Sequence, residues 1–159
     1  MILQTILIIC LSLYFLLIKK FHLGWNNLPS FEDNYKQKVS IIIAARNEAI
    51  QLPDLILDLC NQSYPSDLIE IIIVDDNSED GSASLLSKFK NVSCLKAKGV
   101  GKKNAISQAI GVAKNDFILT TDADCRIPKD WVLKMLSPFA DNEVQLSVGG
   151  VVYQKGNNS

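Results

Sequence analysis

Asp122 and Asp124 stand one residue apart, directly after the apolar run Phe117–Thr121 (FILTT). Carboxylates this close repel each other, so a purely structural role for both is poor chemistry unless a cation lies beside them. Oxygen ligands presented this sparsely suit Mg²⁺ or Mn²⁺, with substrate phosphate oxygens and water completing the octahedron. Cys125 follows at once. It is not read as a nucleophile. The anion side of the same chemistry is offered by Lys96-Ala97-Lys98-Gly99-Val100-Gly101-Lys102-Lys103. Gly99 and Gly101 let backbone approach a ligand, and Lys102 and Lys103 open a predicted helix whose N-terminus attracts phosphate. The spacing is not that of a Walker A loop. Nor is there a dinucleotide fingerprint, since the first strand is followed by Ala-Ala-Arg-Asn-Glu and no glycine. Further polar residues stand at Arg46-Asn47-Glu48 and at Asp75-Asp76-Asn77-Ser78-Glu79-Asp80-Gly81. Of these, Ser78 and Asp80 read as caps of the following helix, and Asn47 reads equally well as a cap or as part of a site.

These residues need elements to hold them. Val39–Ala45 (VSIIIAA) and Ile69–Val74 (IEIIIV) are continuous β-branched runs, as expected of strands buried on both faces. Val92–Leu95 and Phe117–Thr121 read as a third and a fourth strand, and Leu146–Tyr153 as a fifth. Between them, Leu52, Leu55, Ile56 and Leu59 recur at helical spacing. Ser82–Phe89 reads as a short helix. Ala105, Ile106, Ala109, Ile110 and Ala113 form another apolar face, and Lys129–Phe139 reads as a last helix. The alternation predicts an α/β domain, Rossmann-like, with a mostly parallel sheet. In such sheets ligands bind outside the carboxyl ends of the strands, where every polar cluster named above falls.

The N-terminus is different. Ile2–Ile18 carries no charge and is interrupted only by Gln4, Thr5 and Ser12. As a helix it spans about 25 Å, and snorkelling of Lys19 and Lys20 extends its reach. A cleaved signal peptide would place the basic residues before the apolar run rather than after it. Residues 1–20 are therefore read as a single transmembrane anchor of the cell (inner) membrane and residues 21–38 as a linker, with Phe21 and Trp25 at the interface. Lys19 and Lys20 place the remainder in the cytoplasm. The 16 basic and 17 acidic residues give a formal net charge of −1, which argues against nucleic acid as a partner. Cys10, Cys60, Cys94 and Cys125 have neither zinc-ligand spacing nor the density of a disulfide scaffold.

Four motifs in order, VSIIIAARNE (39–48), IIIVDDNSEDG (71–81), GKKNA (101–105) and TDAD (121–124), resemble the inverting glycosyltransferases of family 2. The resemblance covers about residues 39–153. It implies a GT-A fold for residues 39–159, a nucleotide diphosphate-sugar donor, a saccharide or lipid-linked acceptor, and Mn²⁺ or Mg²⁺ as cofactor. It implies that the end of the first strand, Ala44 to Glu48 with Arg46 between, holds the base and ribose together with Asp76. Lys102 is implied to lie near the nucleotide. Asp122 and Asp124 are implied to be the DxD pair, with Asp124 the more direct metal ligand. The family's acidic catalytic base and the Gln-x-x-Arg-Trp motif of its processive members have no match. Asp130, Asp141 and Glu143 carry no corresponding motif, so the catalytic base is unassigned and the GT-A domain is expected to be truncated at its C-terminal side. A membrane-anchored glycosyltransferase is the leading expectation, and a truncated, non-catalytic nucleotide-sugar-binding module the alternative. A sugar-phosphate nucleotidyltransferase would want a glycine-rich loop directly after the first strand, where Arg46-Asn47-Glu48 stands.

Overall fold

The computed structural model describes residues 2–27, 31, 35–82, 89 and 92–152. The chain divides into two compact units, Met1–Phe31 and Glu32–Ser159. The first is helix α1, Ile2–Asn26. It continues past Lys19 and Lys20 through part of the segment expected to be a linker. Its 25 residues are about 37 Å long at 1.5 Å per residue, more than a hydrocarbon core requires. Its apolar side chains are exposed all round, and it is the one helix, among the described residues, long and apolar enough to cross a membrane.

The second unit holds β1 (Val39–Ala45), α2 (Leu52–Cys60), β2 (Ile69–Asp75), β3 (Val92–Lys96), α3 (Lys102–Ile110), β4 (Phe117–Asp122) and α4 (Trp131–Leu136). The sheet order is β3-β2-β1-β4, and all three pairings are parallel. β1 is therefore flanked on both edges and packed on both faces, which is why its sequence is a continuous apolar run rather than an alternating one. Period-two geometry sorts that run into two cores. Val39, Ile41, Ile43 and Ala45 pack with Leu52, Leu55, Ile56 and Leu59 of α2 and Val132 and Leu136 of α4. Ile42 packs on the opposite face with Ile72, Val74, and Ala105 and Ala109 of α3. The alanines of α3 let that helix lie close to the sheet.

Several expectations change. Tyr64, buried in the core, exchanges two hydrogen bonds with the Gln37 backbone: its hydroxyl accepts from N–H at 2.6 Å and donates to C=O at 2.7 Å. Tyr35 meets Phe117 edge-on, with ring centroids 6.1 Å apart. The last residues of the expected linker thus belong to the domain. Residues 146–152 are not a strand. Leu146, Val148, Val151 and Val152 are exposed, because no strand lies alongside to complete a ladder among the described residues. The predicted helix at Lys129–Phe139 is shorter and ends in a 3₁₀ turn, Ser137–Ala140. Residues 83–88, most of another predicted helix, and Tyr153 lie outside the described residues.

Ser40 is the one polar side chain within β1 and is fully buried. Its hydroxyl donates to Glu70 Oε2 at 2.7 Å and accepts from Asn115 Nδ2 at 3.1 Å. Lys114 N–H donates to the same carboxylate at 2.9 Å, and Lys114 Nζ lies 3.3 Å from its other oxygen. Burial pushes the Glu70 carboxyl up, but the hydrogen bonds from Lys114 and Ser40 outweigh it and hold it below its ordinary value. Because the folded value is lowered, this stabilisation is complete above the ordinary carboxylate range and is lost as pH falls through the folded value. Glu70→Gln is expected to cost about 1–3 kcal/mol at pH 7, with the gap to the unaltered chain closing in acid. Urea unfolding of both proteins in detergent across pH 7 to 3 checks this; a pH-independent gap would contradict it.

Candidate functional site

The carboxyl ends of β1, β2 and β4 and the N-terminus of α3 enclose a cleft of about 420 Å³. It is lined by Ala44, Ala45, Arg46 and Glu48 from the end of β1, Asp76 beyond β2, Gly101 and Lys102 from the start of α3, and Asp122, Ala123 and Asp124 from the end of β4. Ala44, Arg46, Glu48, Asp76, Lys102, Asp122 and Asp124, expected in the site from the sequence, are brought to this one cleft, whereas Asn47, Gly99 and Lys103 do not line it.

The loop after β1 is stitched to the loop after β2. Asn47 has φ of 57° and Asn77 has φ of 58°, a left-handed conformation that asparagine tolerates better than most residues. Asn47 N–H donates to Ser78 Oγ at 3.0 Å, and Asn47 Oδ1 accepts from Glu79 N–H at 2.9 Å. Glu48 N–H donates to Ser82 Oγ at 3.1 Å, and Ala49 N–H to Asp80 Oδ2 at 2.8 Å. Asp80 also accepts from Ser82 N–H at 3.0 Å, a side-chain bond to a backbone amide two residues on. Ser78 Oγ serves the first loop; the helix it was expected to cap runs through residues 83–88, outside the described residues. These bonds fix the backbone from which Glu48 reaches the cleft.

Asp76 is 4% exposed, and both of its carboxylate oxygens accept from Gly101 N–H, at 3.1 and 2.9 Å. The lysine loop is therefore tied down through its backbone, while its four lysine side chains stay exposed. Gly101 takes φ of 96° there, which a side chain would strain. Gln108 closes the loop from α3, accepting from Lys98 N–H at 2.8 Å and donating to Lys96 C=O at 2.9 Å. Asn104 donates to Val100 C=O at 2.8 Å. Asn104, quoted only within GKKNA, and Gln108 share one sequence signal, a polar pair four residues apart on one helix.

Lys102 Nζ pairs with Asp122 Oδ1. Both side chains are more than half exposed, so the pair contributes about 0–1 kcal/mol and yields readily to a ligand. Glu48 is held above its ordinary value by burial first, and then by the negative charges of Asp124 and Asp80. The cleft thus has basic residues, Arg46 and Lys102, and acidic ones, Glu48 and Asp124, that make no ion pair among the described residues. No group of three His, Cys, Asp or Glu side chains is arranged around a metal position among the described residues. The donor set is a pair of hard carboxylates, which fits a divalent cation sharing its shell with an oxygen-rich ligand.

The family model described as Glycosyl transferase family 2 matches residues 40–159. Beta-monoglucosyldiacylglycerol synthase of Trichormus variabilis is 31% identical over 113 residues, covering 67% of this chain and 24% of that protein. Poly-beta-1,6-N-acetyl-D-glucosamine synthase of Staphylococcus epidermidis is 28% identical over 135 residues, covering 82% of this chain and 32% of that protein. The chain spans about a quarter to a third of the length of these curated relatives. Among solved structures, the mannosyltransferase PcManGT from Pyrobaculum calidifontis, in complex with GDP-Man and Mn²⁺, superposes with a TM-score of 0.71 at 25% identity. It covers 79% of this chain and 40% of that one. S. aureus TarS 1-349 in complex with UDP-GlcNAc gives 0.57 at 27% identity, covering 67% of this chain and 32% of that one. The parallel sheet with its strand-end cleft is the GT-A arrangement that the four motifs anticipate.

If the Asp76 carboxylate holds the lysine loop, Asp76→Ala should free it. Charge-assisted hydrogen bonds contribute about 1.5–3 kcal/mol, so amide exchange in residues 97–104 should quicken about 10- to 150-fold. Exchange in β2 should stay unchanged. Hydrogen–deuterium exchange with mass spectrometry of the two proteins checks this, and equal exchange in the loop would contradict it.

Proposed function

The chain belongs to glycosyl transferase family 2, and we propose on that premise that it is the donor-binding part of a membrane-anchored, metal-dependent glycosyltransferase. The observation that carries this reading is the convergence of Asp76, Lys102, Asp122 and Asp124 on one cleft from two strand ends and a helix N-terminus. A nucleotide diphosphate-sugar has three parts to hold, and each finds complementary chemistry there. Ala44, Arg46, Glu48 and Asp76 face the base and ribose. A carboxylate has about four lone-pair positions, so Asp76 can accept from the Gly101 amide and from a ribose hydroxyl or base N–H together. Lys102 at the start of α3 faces the diphosphate, where a helix N-terminus adds to its charge. Binding of the diphosphate draws Lys102 from Asp122, leaving that carboxylate, with Asp124, for Mn²⁺ or Mg²⁺. When bound, the cation would neutralise charge building on the leaving diphosphate.

In the family's inverting reaction, an acceptor hydroxyl displaces the diphosphate in line at the anomeric carbon, and a base removes its proton. The four carboxylates lining the cleft, Glu48, Asp76, Asp122 and Asp124, are all assigned here to donor or cation. That assignment is what favours the second reading, a nucleotide-sugar-binding module without transfer. The acceptor is a saccharide or a lipid-linked one, in keeping with an apolar helix α1 that anchors the domain to the cell membrane. Lys19 and Lys20, following the apolar run, support a cytoplasmic domain by the positive-inside rule. Protection of the domain from protease in inside-out vesicles would contradict that orientation.

Calorimetry on the detergent-solubilised chain, with UDP and GDP as probes, tests the cation assignment. Asp124→Asn should abolish the Mn²⁺-dependent part of nucleotide binding and Asp122→Asn should weaken it less, since an amide is a poorer ligand than a carboxylate for a hard cation. Unchanged Mn²⁺-dependent binding in the Asp124 variant would contradict it. A radiolabelled-donor assay separates the two readings: turnover above hydrolysis, lost in Asp124→Asn, is the result for a transferase.

A further inference from the structure

Residues 123–130 leave β4 and cross to α4, carrying Asp124 into the cleft on the way. The loop is strapped to the C-terminal half of α2. Arg126 presents its guanidinium fork to Asp58, Nε at 2.6 Å from Oδ2 and Nη2 at 2.9 Å from Oδ1. Nη1 lies 3.4 Å from Asp54 Oδ2, one turn earlier on the same helix. Ile127 N–H donates to Asp58 Oδ2 at 3.2 Å. Further along, Gln62 donates to Pro128 C=O at 2.9 Å and accepts from Val132 N–H at 3.0 Å. Ser63 N–H and Oγ both donate to Lys129 C=O, at 2.7 and 3.0 Å. The backbone on the far side of Asp124 is thus held at four points, Ile127, Pro128, Lys129 and Val132, by Asp58 of α2 and by Gln62 and Ser63 just beyond its end.

From this geometry we infer that Asp58 and Arg126 are positioning residues for Asp124, setting where its carboxylate stands in the cleft. The inference rests on the reading of Asp124 as the cation ligand. A bidentate arginine–carboxylate pair fixes direction as well as distance. Here it acts two residues from Asp124, while Ala123 on the other side is buried in the core. Arg126 is 60% exposed, so the pair adds little to overall stability. Its effect falls instead on the placement of the ligand. The same helix begins beside the other edge of the cleft, where Leu52 N–H donates to Glu48 C=O at 2.9 Å. α2 therefore ties the nucleotide edge and the cation edge to one rigid body. Asp58 is held below its ordinary value, first by its hydrogen bond to Arg126, in keeping with a permanent ion pair.

The test measures Mn²⁺-dependent and Mn²⁺-free binding of UDP and GDP to the full chain in detergent, with melting temperature alongside. The variants are Asp58→Asn, Arg126→Ala, Arg126→Lys, and Lys134→Met as a control, which breaks the Asp130–Lys134 pair beyond the same loop. Loss of groups that orient metal ligands typically costs about 10- to 100-fold in metal affinity. That loss is expected for Asp58→Asn and Arg126→Ala in the Mn²⁺-dependent component, with Mn²⁺-free binding within about twofold. Arg126→Lys keeps the charge without the fork and should recover only part of it. Lys134→Met should change neither component. If Asp124→Asn abolishes Mn²⁺-dependent binding while Asp58→Asn leaves it intact, the positioning role is wrong and the cation assignment stands. If both leave it intact, both fall. A parallel fall in both affinities and in melting temperature, or an equal loss in Lys134→Met, would show a merely structural strap and overturn the inference.

Discussion

The parallel pairing of β1 with both β2 and β4 is the constraint from which the rest follows. A strand paired on both edges and covered on both faces has no polar surface to present, and VSIIIAA meets that demand with Ser40 as its one polar side chain. Ser40 is tolerated because Glu70 and Asn115 satisfy its hydroxyl. Parallel pairing then points all four carboxyl ends the same way. Polar residues widely separated in sequence become neighbours at one edge of the sheet. The cleft is a consequence of strand direction before it is a consequence of any side chain in it.

Within the cleft, the bond that sets the lysine loop and the ion pair nearest to it differ in burial. Asp76 spends part of its hydrogen-bonding capacity on the Gly101 amide, which sets the lysine loop and with it the start of α3. Lys102, at that start, pairs with Asp122 in an exposed, weak contact. The first interaction is buried and persistent; the second is easily exchanged. For the proposed pairing of a polyanion with a cation, that division is useful. The frame stays fixed while the pair that must reorganise does so at small cost.

Much of this was readable from residues alone, for physical reasons. Continuous β-branched runs marked β1 and β2 because double burial leaves no alternation to confuse the pattern. The spacing of Leu52, Leu55, Ile56 and Leu59 marked the buried face of α2. The strand-end rule gathered Glu48, Asp76, Lys102, Asp122 and Asp124 in advance. What escaped were pairings between side chains far apart in sequence: Arg126 with Asp58, Gln62 with the loop at Pro128, Asp76 with the Gly101 amide. Nothing local distinguishes Asp58 from any solvent-facing acid on an amphipathic helix. The strand expected at Leu146–Tyr153 failed for a related reason. A valine-rich run describes what a segment would do beside a partner, and among the described residues none lies there to pair with it. Helix α1 outran its expected end because Lys19 and Lys20 are good helix formers; the charges mark a change of environment and not a change of backbone.

The claim that this cleft takes a nucleoside diphosphate and a divalent cation together is tested most directly by thermal melting of the detergent-solubilised chain. UDP and GDP are each added with and without Mn²⁺. A ligand that binds only the folded state raises the melting temperature by mass action. At least one of the two nucleotides should raise it substantially more with Mn²⁺ than without, and by more than the separate shifts combined. No shift with either nucleotide, or a nucleotide shift indifferent to Mn²⁺, would contradict the claim.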